Sequence, residues 1–396
     1  MEIGNIYIGL TEQVAIGILL LLFLHQAYFY IRYIGAVGRQ LRRQKKAVAT
    51  ETTAEEADMP GVSVILCAHN EEANLISYLP ALMTQDYPTY EIIVVDDRSE
   101  DNSRSVIEQY HLHDPRIKVT FVPNQARLTS TKKLGLTLAA KCAQYEYLLL
   151  TDADCRPESK GWIRAMMRGF VERQKSKDKR QKTEVVLGYG AYFENKSLLN
   201  RLIQYDTLFN GLHFLGCAIV HKPYMGVGRN LAYRKDLFFE AGGFSDSINL
   251  RSGDDDLFVN KVANRRNTAV SVGIDATTWS APEKSWESWW EQKRRHLSVS
   301  PHYSFRSKWH LGFEAMTRGL FYFGFALSWC VSLPVGLAAT ALLLFRWLIQ
   351  AATIQPAAKR LGHRGFVCSI PVWDIVLPLL SLWLIIQRKT YTLNQW

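Results

Sequence analysis

The sequence predicts an α/β domain with a mostly parallel sheet, flanked by transmembrane α-helices. Long apolar runs lie near both ends of the 396-residue chain, whereas the middle has the composition of a soluble domain. Short β-branched segments alternate with helical segments between residues 61 and 150. Polar and mostly acidic residues follow three of the β-branched segments directly. Such alternation implies parallel strands whose faces are covered by helices.

A transmembrane anchor is predicted near the N-terminus. Residues 14–34, VAIGILLLLFLHQAYFYIRYI, are almost continuously apolar, and about 20 such residues suffice to cross a bilayer. A cleaved signal peptide would have basic residues before the apolar run and a small-residue cleavage site after it. Here Glu2 and Glu12 precede the run, and the basic residues follow it, at Arg32, Arg39, Arg42, Arg43, Lys45 and Lys46. This distribution predicts an uncleaved anchor in residues 1–36, in the inner or plasma membrane, with the next domain in the cytoplasm.

The rest of the chain divides into a linker, a soluble domain and a second apolar region. Residues 37–60 are basic and then acidic, which is typical of a linker, and residues 61–310 form the predicted α/β domain. Its last part, residues 284–310, interleaves tryptophan with basic residues and predicts an amphipathic helix at the membrane surface. Residues 311–396 predict about three membrane helices, of which the first two separate near Pro334. One long kinked helix is the alternative to those two, and the flanking charges leave the side of the C-terminus open.

Charge and cysteine content exclude other classes of protein. The formal net charge is +10, but many of the basic residues follow the anchor and no nucleic-acid-binding motif is present, so no nucleic acid partner is predicted. None of the six cysteines is spaced C-x-x-C, and no cysteine–histidine group has the spacing of a zinc site. We predict reduced and mostly buried thiols, as in a cytoplasmic catalytic domain.

Polar stretches in the soluble domain are predicted to converge on one site. The predicted strands are residues 62–67, 91–95, 117–122 and 147–150, and the predicted helices are residues 71–85 and 132–144. The stretches AHNE, DDRS and TDAD follow the first, second and fourth strands. Ligands of parallel sheets bind at the carboxyl ends of the strands. The three stretches therefore predict a single binding site at that edge.

The acidic motifs in these stretches point to a metal ion and to proton transfer. Asp152 and Asp154, one residue apart after a buried strand, suit Mg²⁺ or Mn²⁺, although a polar turn with Asp154 as a helix cap is the alternative. Asp96 and Asp97 could accept hydrogen bonds from a ribose or a base, or cap the next helix. The stretch SGDDDLFVN, residues 252–260, crowds three carboxylates at a helix start. Crowding can raise a carboxylate pKa toward the value of a general base, and the alternative is a solvated helix start.

Taken together, seven segments resemble the inverting glycosyltransferases of family 2, in their membrane-embedded, synthase-like branch. The segments are SVILCAHNEEANL, YEIIVVDDRSEDNS, STKKLGL, LLLTDADC, GVGRNLAYRKDLFFEAGGF, SGDDDLFV and QKRRH. They occur in the order of the family and cover about residues 60–300. The resemblance implies a GT-A (Rossmann-like) fold for the cytoplasmic domain.

The resemblance also implies roles for individual residues on the donor side. The expected nucleotide-sugar site comprises Ala68, His69, Asn70, Glu71, Asp96, Asp97, Lys132 or Lys133, Asp152, Gln292 and Arg295. Within this set, Asp97, with Asp96 beside it, would bind the uridine part, and Lys132 or Lys133 would lie near the phosphates. Asp154, with Asp152, would hold Mg²⁺ or Mn²⁺.

On the acceptor side the resemblance implies a base and a short binding segment. Asp255 would be the catalytic base, with Asp254 as the other candidate of the pair. Gly228, Arg229 and Asn230 would contact the acceptor. His296 stands where the family has a tryptophan that stacks on the acceptor, which favours single or limited addition over processive synthesis.

The function implied is the transfer of a sugar from a nucleotide-sugar, most simply a UDP-sugar, to a lipid-linked or polysaccharide acceptor with inversion. A processive β-glycan synthase is the alternative within this class. A non-catalytic membrane scaffold or a nucleotidyltransferase are alternatives from other classes, and the retained acids and the QKRRH segment weigh against them. The donor sugar, the acceptor and the oligomeric state are left open.

Overall fold

The computed structural model describes residues 9–48, 59–126, 129–174 and 182–387. Residues 49–58 of the predicted linker, Glu2, and the C-terminal Arg388 and Lys389 lie outside the described residues, as do the side chains of Lys45 and Lys46. Residues 37–48 are helical, so the prediction of a linker is wrong for that part. The predicted four-strand core is confirmed, with each strand within one residue of its expected bounds. The strands are β1 (Val62–Ala68), β2 (Tyr90–Asp96), β3 (Ile117–Phe121) and β4 (Tyr147–Leu150).

The first half of the sheet is parallel, in the order β3-β2-β1-β4. The intervening helices are α3 (Glu72–Met83), α4 (Ser103–His113) and α5 (Thr131–Cys142). Helix α5 lies very close to the sheet, since a Cβ added at Gly135 would be only 2.9 Å from the Val95 side chain. This close approach places the first turn of α5, with Thr131 and Lys132, beside the carboxyl ends of β1 and β2.

The second half of the sheet departs from the parallel pattern. Its strands are β6 (Val185–Leu187), β8 (Leu231–Arg234) and β9 (Thr268–Val270). Strand β8 runs antiparallel to both β4 and β6, whereas β9 is parallel to β6. A small second sheet joins β5 (Cys155–Pro157), β10 (Thr277–Ser280) and β7 (Tyr189–Tyr192). The fold class is therefore the mostly parallel α/β architecture that the sequence predicts.

Helices surround this sheet and continue toward the apolar regions. In the soluble domain they are α6 (Trp162–Gln174), α7 (Leu198–Ile219), α8 (Lys235–Glu240), α9 (Asp256–Val262) and α10 (Trp286–Val299). The expected surface helix is α10, but its tryptophans do not share one exposed face. Trp289 is 2% exposed and belongs to the core, whereas Trp286 is 46% exposed. The prediction that all of these tryptophans lie at the membrane surface is therefore wrong for Trp289.

The N-terminal anchor is one uninterrupted helical segment. Helix α1 (Leu10–Phe29) passes through a π-helical turn (Tyr30–Ile34) into α2 (Gly35–Val48). Three segments of the described chain are long and apolar enough to cross a membrane, namely Leu10–Gln44, Leu333–Arg360 and Val367–Leu384. The chain is therefore membrane-associated.

The C-terminal region forms three helices, α11 (Phe305–Val331), α12 (Leu333–Arg360) and α13 (Ile370–Gln387). Helices α11 and α12 are separate because the chain breaks at Ser332, so the single kinked helix does not form. Pro334 lies in the first turn of α12, where its missing N–H costs no helical hydrogen bond. Helix α11 is not among the three segments that are apolar enough over a sufficient length to cross a membrane. Its first half carries four charged residues, Arg306, Lys308, Glu314 and Arg318.

A buried ion pair joins the membrane-region helices. Arg346 of α12 is fully buried and donates hydrogen bonds to both carboxylate oxygens of Asp374 on α13. Its guanidinium also lies 3.1 Å from the Tyr322 hydroxyl of α11 and 3.3 Å from Gln26 Oε1 of α1. Removing either charged partner would leave a buried, uncompensated charge. The pair therefore holds four helices in one arrangement.

All six cysteines lie in the described ranges and are free thiols. Cys155 and Cys217 are buried and Cys67 is partly buried, but the other three are exposed, at Cys142, Cys330 and Cys368. The prediction of reduced thiols is confirmed, and the prediction that most are buried is wrong. Cys330 lies on the apolar helix α11, where exposure in the isolated chain is compatible with contact to lipid.

Candidate active site

The carboxyl ends of β1, β2 and β4 bring the predicted polar stretches to one edge of the sheet. Asp152 follows β4 by two residues, and its Oδ1 lies 2.8 Å from Lys132 Nζ at the start of α5. Ligand atoms of Asp152, Asp154 and Cys155 all lie within 4.8 Å of one another. The predicted convergence of AHNE, DDRS and TDAD on one edge follows from the parallel pairing of these strands.

The two aspartates of the TDAD stretch form a site that suits a divalent cation. Burial and the neighbouring charge of Asp152 raise the pKa of Asp154 to about 6. Burial acts to raise the pKa of Asp152 as well, but Lys132 outweighs it and the pKa is lowered. Carboxylate oxygens that repel each other in a partly buried cleft are the donor set that Mg²⁺ and Mn²⁺ prefer. The residues present therefore fit the metal that the resemblance implies.

Lys132 connects two acidic segments. Besides Asp152, its Nζ lies 3.4 Å from Asp254 Oδ2. Burial acts to lower the pKa of Lys132, but Asp152 and Asp254 outweigh burial and raise that pKa well above its usual value. The ammonium group is therefore a permanent positive charge between the TDAD stretch and the SGDDDL stretch.

Lys133 has a different role from its neighbour. It is fully buried, and its Nζ donates to three backbone carbonyls, at 2.5 Å for Ser247, 2.8 Å for Leu250 and 2.8 Å for Ser252. These contacts hold the loop that leads into the three aspartates. The expectation that Lys133 could lie near the phosphates is therefore wrong, and Lys132 is the lysine that faces the site.

The segment after β1 is fastened to the loop after β2. Asn70 has a positive φ of 57°, and its Oδ1 accepts a hydrogen bond from the Glu100 amide at 2.8 Å. The Glu71 amide donates to Ser103 Oγ at 2.8 Å. Ala68 is the last, fully buried residue of β1. These hydrogen bonds hold the segment after β1 against the loop after β2, at the place where the nucleotide pocket is expected. The Asn70 side chain and the Glu71 amide are therefore engaged within the protein.

Asp96 and Asp97 are used differently. Asp96 Oδ1 accepts from the Ser99 amide at 3.1 Å, so this residue caps its own loop. Asp97 Oδ2 accepts from the Thr131 hydroxyl at 2.8 Å, while its buried Oδ1 has no hydrogen-bond partner among the described residues. A cavity of about 520 Å³ opens beside them, lined in part by His69, Asp96 and Arg98. Asp97 Oδ1 lies 3.7 Å from Arg98 Nε, and Asp96 rather than Asp97 lines the cavity.

Asp255 is held in place by two backbone amides. Its Oδ2 accepts from the Gly228 amide and its Oδ1 from the Asp256 amide, each at 2.7 Å. Burial and the charge of Asp254 raise the pKa of Asp255 to about 6. Asp256 accepts a hydrogen bond from the Tyr303 hydroxyl at 2.8 Å, and burial and Asp255 raise its pKa to about 8. The three adjacent carboxylates therefore have different partners. Asp254 pairs with Lys132, Asp255 accepts from backbone amides, and Asp256 accepts from Tyr303.

The residues of the expected acceptor segment have two different roles, one in the core and one beside the cleft. Asn230 is fully buried, and its Nδ2 donates to the carbonyls of Tyr189 at 2.7 Å and Ala276 at 2.6 Å, so its expected contact with an acceptor is wrong. Arg229 lies over the Tyr192 ring at 4.3 Å, and its Nη1 has no partner within the described ranges. Its charge lowers the pKa values of Asp152 and Asp154, opposing the effect of burial.

The QKRRH segment lies on α10 above the cleft. Gln292 Nε2 donates to the Tyr192 hydroxyl and to Glu283 Oε1, each at 3.1 Å. Arg295 and His296 are exposed. Sequence reasoning missed Lys293, which forms an ion pair with Asp206 of α7, although the run of basic residues on α10 indicated a need for acidic partners.

A cavity of about 350 Å³ leads from these groups toward the membrane-region helices. At one end it is lined by Arg229, Asp255, Asp256, Gln292 and His296. At the other end it is lined by Leu377, Leu380 and Leu384 of α13. Tyr303, another lining residue that the sequence did not indicate, connects α11 to Asp256.

Comparison with known proteins finds similarity to glycosyltransferases over part of the chain. The family model "Glycosyl transferase family 2" matches residues 63–219. The "Probable glycosyltransferase YdaM" of Bacillus subtilis is 27% identical over 243 residues, which are 60% of this chain and 54% of the relative. The "Poly-beta-1,6-N-acetyl-D-glucosamine synthase" of Staphylococcus epidermidis is 28% identical over 101 residues, which are 26% of this chain and 23% of the synthase.

Among solved structures, the mannosyltransferase PcManGT from Pyrobaculum calidifontis, in complex with GDP-Man and Mn²⁺, has a TM-score of 0.50 at 19% identity. The match covers 86% of this chain and 98% of that chain. This likeness shows the fold alone, which is GT-A. The match of residues 63–219 to the family 2 model agrees with the resemblance seen in the sequence. The chain spans about half the length of YdaM and about a quarter of the synthase.

The two adjacent lysines should separate stability from donor binding. Lys133→Met is expected to lower the unfolding free energy by more than about 2 kcal/mol, because charged hydrogen bonds to three buried carbonyls are lost. Lys132→Met is expected to change thermal stability less and to weaken nucleotide-sugar affinity. Thermal unfolding and donor titration of both purified variants check this. Equal loss of stability in the two variants would contradict the assignment of Lys133 to the loop.

Proposed function

We propose that the protein is a membrane-bound, metal-dependent, inverting glycosyltransferase that moves a sugar from a nucleotide-sugar, most simply a UDP-sugar, to a lipid-linked or growing glycan acceptor. The observation that carries the proposal is the arrangement of Asp152, Asp154 and Asp255 around one cleft, with Lys132 between the two acidic segments. A scaffold without activity would have no need to keep several partly buried carboxylates together, since burying them costs free energy.

The donor would lie along the carboxyl edge of the sheet. Asp97 Oδ1 has no hydrogen bond among the described residues and lies 3.7 Å from Arg98 Nε, and it would accept a hydrogen bond from a base or ribose group near the cavity at His69. Lys132 and the α10 residues Gln292 and Arg295 would face the diphosphate. Asp154 and Asp152 would hold Mg²⁺ or Mn²⁺, which when bound neutralises the charge that develops on the diphosphate leaving group.

Asp255 would act as the base. Its carboxylate accepts the proton of an acceptor hydroxyl while the hydroxyl oxygen bonds to the anomeric carbon, and the bond from that carbon to the diphosphate breaks. The amides of Gly228 and Asp256 hold the carboxylate in a fixed orientation during this step. Because attack comes from the face opposite the leaving group, one displacement inverts the configuration, and an α-linked donor gives a β-linkage.

The cavity supports an acceptor with an apolar part. Its polar end contains Asp255, whereas its far end is lined by leucines of the membrane-region helix α13. An amphiphilic acceptor could place a hydroxyl at the base and a hydrocarbon segment along α13. A volume of about 350 Å³ suits one small headgroup better than a polymer channel. The shape therefore favours single or limited addition to a lipid-linked acceptor over processive synthesis.

The basic residues after the anchor support the proposed orientation. Arg32, Arg39, Arg42 and Arg43 lie at the end of the anchor segment that leads into the catalytic domain. Basic residues of this kind are retained on the cytoplasmic side. The catalytic domain would therefore face the cytoplasm from the inner or plasma membrane.

Incubating membranes with radiolabelled UDP- and GDP-sugars, with and without Mn²⁺ or EDTA, tests the proposal. Transfer from one donor to a lipid-extractable product is expected. EDTA should abolish this transfer, because without the ion the charge on the diphosphate is not neutralised. Addition of Mn²⁺ should restore it. The Asp154→Asn variant is the matched control and should need more Mn²⁺ for the same rate. No incorporation from any donor, with a candidate lipid acceptor present, would favour a scaffold.

Asp255→Asn should abolish transfer while donor binding survives. Loss of a general base typically costs about 10²–10⁴-fold in rate, and the amide cannot accept the proton. Asp254→Asn should retain more activity, since that carboxylate pairs with Lys132. Turnover by single-time-point assay and UDP titration of both variants check the assignment. Near-normal turnover by the Asp255 variant would refute the base.

The same carboxylate determines the expected pH dependence. A base must be ionised to act, and the pKa of Asp255 is about 6. Transfer by the unmodified protein should therefore fall about tenfold per pH unit below that value and level off above it. Saturating Mn²⁺ is needed in the assay, because protonation of Asp154 would lower the rate in the same pH range. A rate independent of pH between 5 and 7 would contradict Asp255 as the base.

Two adjacent leucines of α13 test the route of the acceptor. Leu380 lines the cavity, whereas Leu379 is 60% exposed on the outer side of the helix. Leu380→Trp should fill the cavity and reduce transfer to a lipid acceptor, with donor affinity unchanged. Leu379→Trp adds the same bulk outside the cavity and should leave transfer intact. Steady-state kinetics with varied acceptor separates the two variants, and equal rates would exclude this cavity as the acceptor site.

A further inference from the structure

A second cluster of metal-ligating side chains lies outside the TDAD and SGDDDL segments, although its His213 also lines the cavity that contains Asp255. His213 and Cys217 lie one helical turn apart on α7, and His310 lies near the start of α11. One ring nitrogen of each histidine and the Cys217 Sγ all lie within 4.8 Å of one another. Residues four apart on a helix project from the same face, so α7 presents both of its ligands together toward α11.

These groups are buried and incompletely bonded. His213 is 7% exposed and Cys217 is fully buried. His213 Nε2 is buried and has no hydrogen-bond partner in the described part of the chain. A buried polar atom without a partner costs about 1–3 kcal/mol, and such atoms in native proteins often mark a site for an ion or a water molecule.

The side chains in this cluster offer the ligand atoms that zinc commonly binds. Imidazole nitrogen and thiolate sulfur are both typical zinc ligands. Coordination of Cys217 would release the thiol proton, because the thiolate is the form that binds metal.

The spacing matches a tetrahedral zinc centre. Cys217 Sγ lies 3.6 Å from His310 Nε2. With Zn–S of about 2.3 Å and Zn–N of about 2.05 Å, tetrahedral angles separate the two ligand atoms by about 3.6 Å. A thiol–imidazole hydrogen bond would have a similar length, but it would leave the His213 nitrogen without a partner.

We propose that His213, Cys217 and His310 bind one zinc ion. Two imidazoles and one thiolate form a borderline-soft ligand set that selects Zn²⁺ over Mg²⁺ or Mn²⁺, in contrast to the carboxylates of Asp152 and Asp154. Binding releases the Cys217 proton to solvent and leaves a fourth position for water. Two nearby cationic groups are already engaged, since Lys222 Nζ donates to the Tyr33 hydroxyl and Arg318 pairs with Glu314.

The ion would connect the catalytic domain to the membrane-region helices. Helix α7 contributes to the core of the soluble domain, and its His213 ring lies 4.9 Å from Phe29 of the anchor. The His310 ring lies 5.0 Å from Tyr33 in the π-helical turn. A zinc ion at this position would hold α7, α11 and the anchor together. This structural role is independent of the proposed sugar transfer.

Metal analysis of the full-length chain in detergent tests the proposal. Plasma mass spectrometry should find about one zinc per chain, with much less in Cys217→Ser and His213→Ala. Cys142→Ser, which removes an exposed thiol outside the cluster, and Asp154→Asn should both keep the zinc. Zinc content that is negligible in the unmodified protein, or unchanged in Cys217→Ser, would overturn the proposal.

Cobalt spectroscopy of the unmodified protein gives a second measurement that does not depend on variants folding. Replacement of zinc by Co²⁺ should produce a thiolate-to-cobalt charge-transfer band and the visible bands of a tetrahedral site. Both should disappear after competition with excess Zn²⁺ and persist in Asp154→Asn. The absence of the charge-transfer band in Co²⁺-loaded, folded protein would show that Cys217 forms a hydrogen bond only.

Discussion

The ammonium group of Lys132, 2.8 Å from Asp152 and 3.4 Å from Asp254, joins two acidic segments that would otherwise repel each other. One segment follows β4 and the other begins α9, so the contact connects the parallel half of the sheet to the antiparallel half. Gly135 permits the close helix–sheet packing that brings Lys132 to this position. The partly buried carboxylates still exceed the nearby positive charge. That excess makes the cleft attractive to a divalent cation. Burial, together with the neighbouring carboxylates, raises the pKa of Asp154 and of Asp255 to about 6.

A second set of charges organises the membrane side. The buried pair of Arg346 and Asp374, with Gln26 and Tyr322, holds the anchor against the three C-terminal helices. Because α13 forms part of the wall of the cavity that contains Asp255, this pair also fixes the wall against which the proposed acceptor would lie. Catalytic domain and membrane region thus share one wall rather than being joined by a linker alone. The proposed zinc ion would strengthen the same boundary from the side of α7.

Residue-level predictions succeeded where a local pattern has one interpretation. Short β-branched runs and the acids that follow them identified β1 to β4 and the edge of the sheet. Predictions failed where two adjacent residues are of the same type and only the directions of their side chains differ. Lys132 and Lys133 are adjacent on one helix, and the helical turn of about 100° per residue sends one to the cleft and the other to loop carbonyls. Asn230 likewise follows the exposed segment in sequence but points into the core between Tyr189 and Ala276.

The sequence by itself determined the alternation of strands and helices, the apolar segments at both ends, and the similarity of residues 63–219 to glycosyltransferase family 2. These depend on periodicity and on residues close together in the chain. Only the tertiary structure decided which carboxylate is held by amides, which lysine faces the cleft, and which residues line the cavity. It also brought His310 to Cys217 across 93 positions of sequence, so no spacing rule could have indicated that cluster. Contacts of this kind depend on the packing of helices against one another, which no single segment encodes.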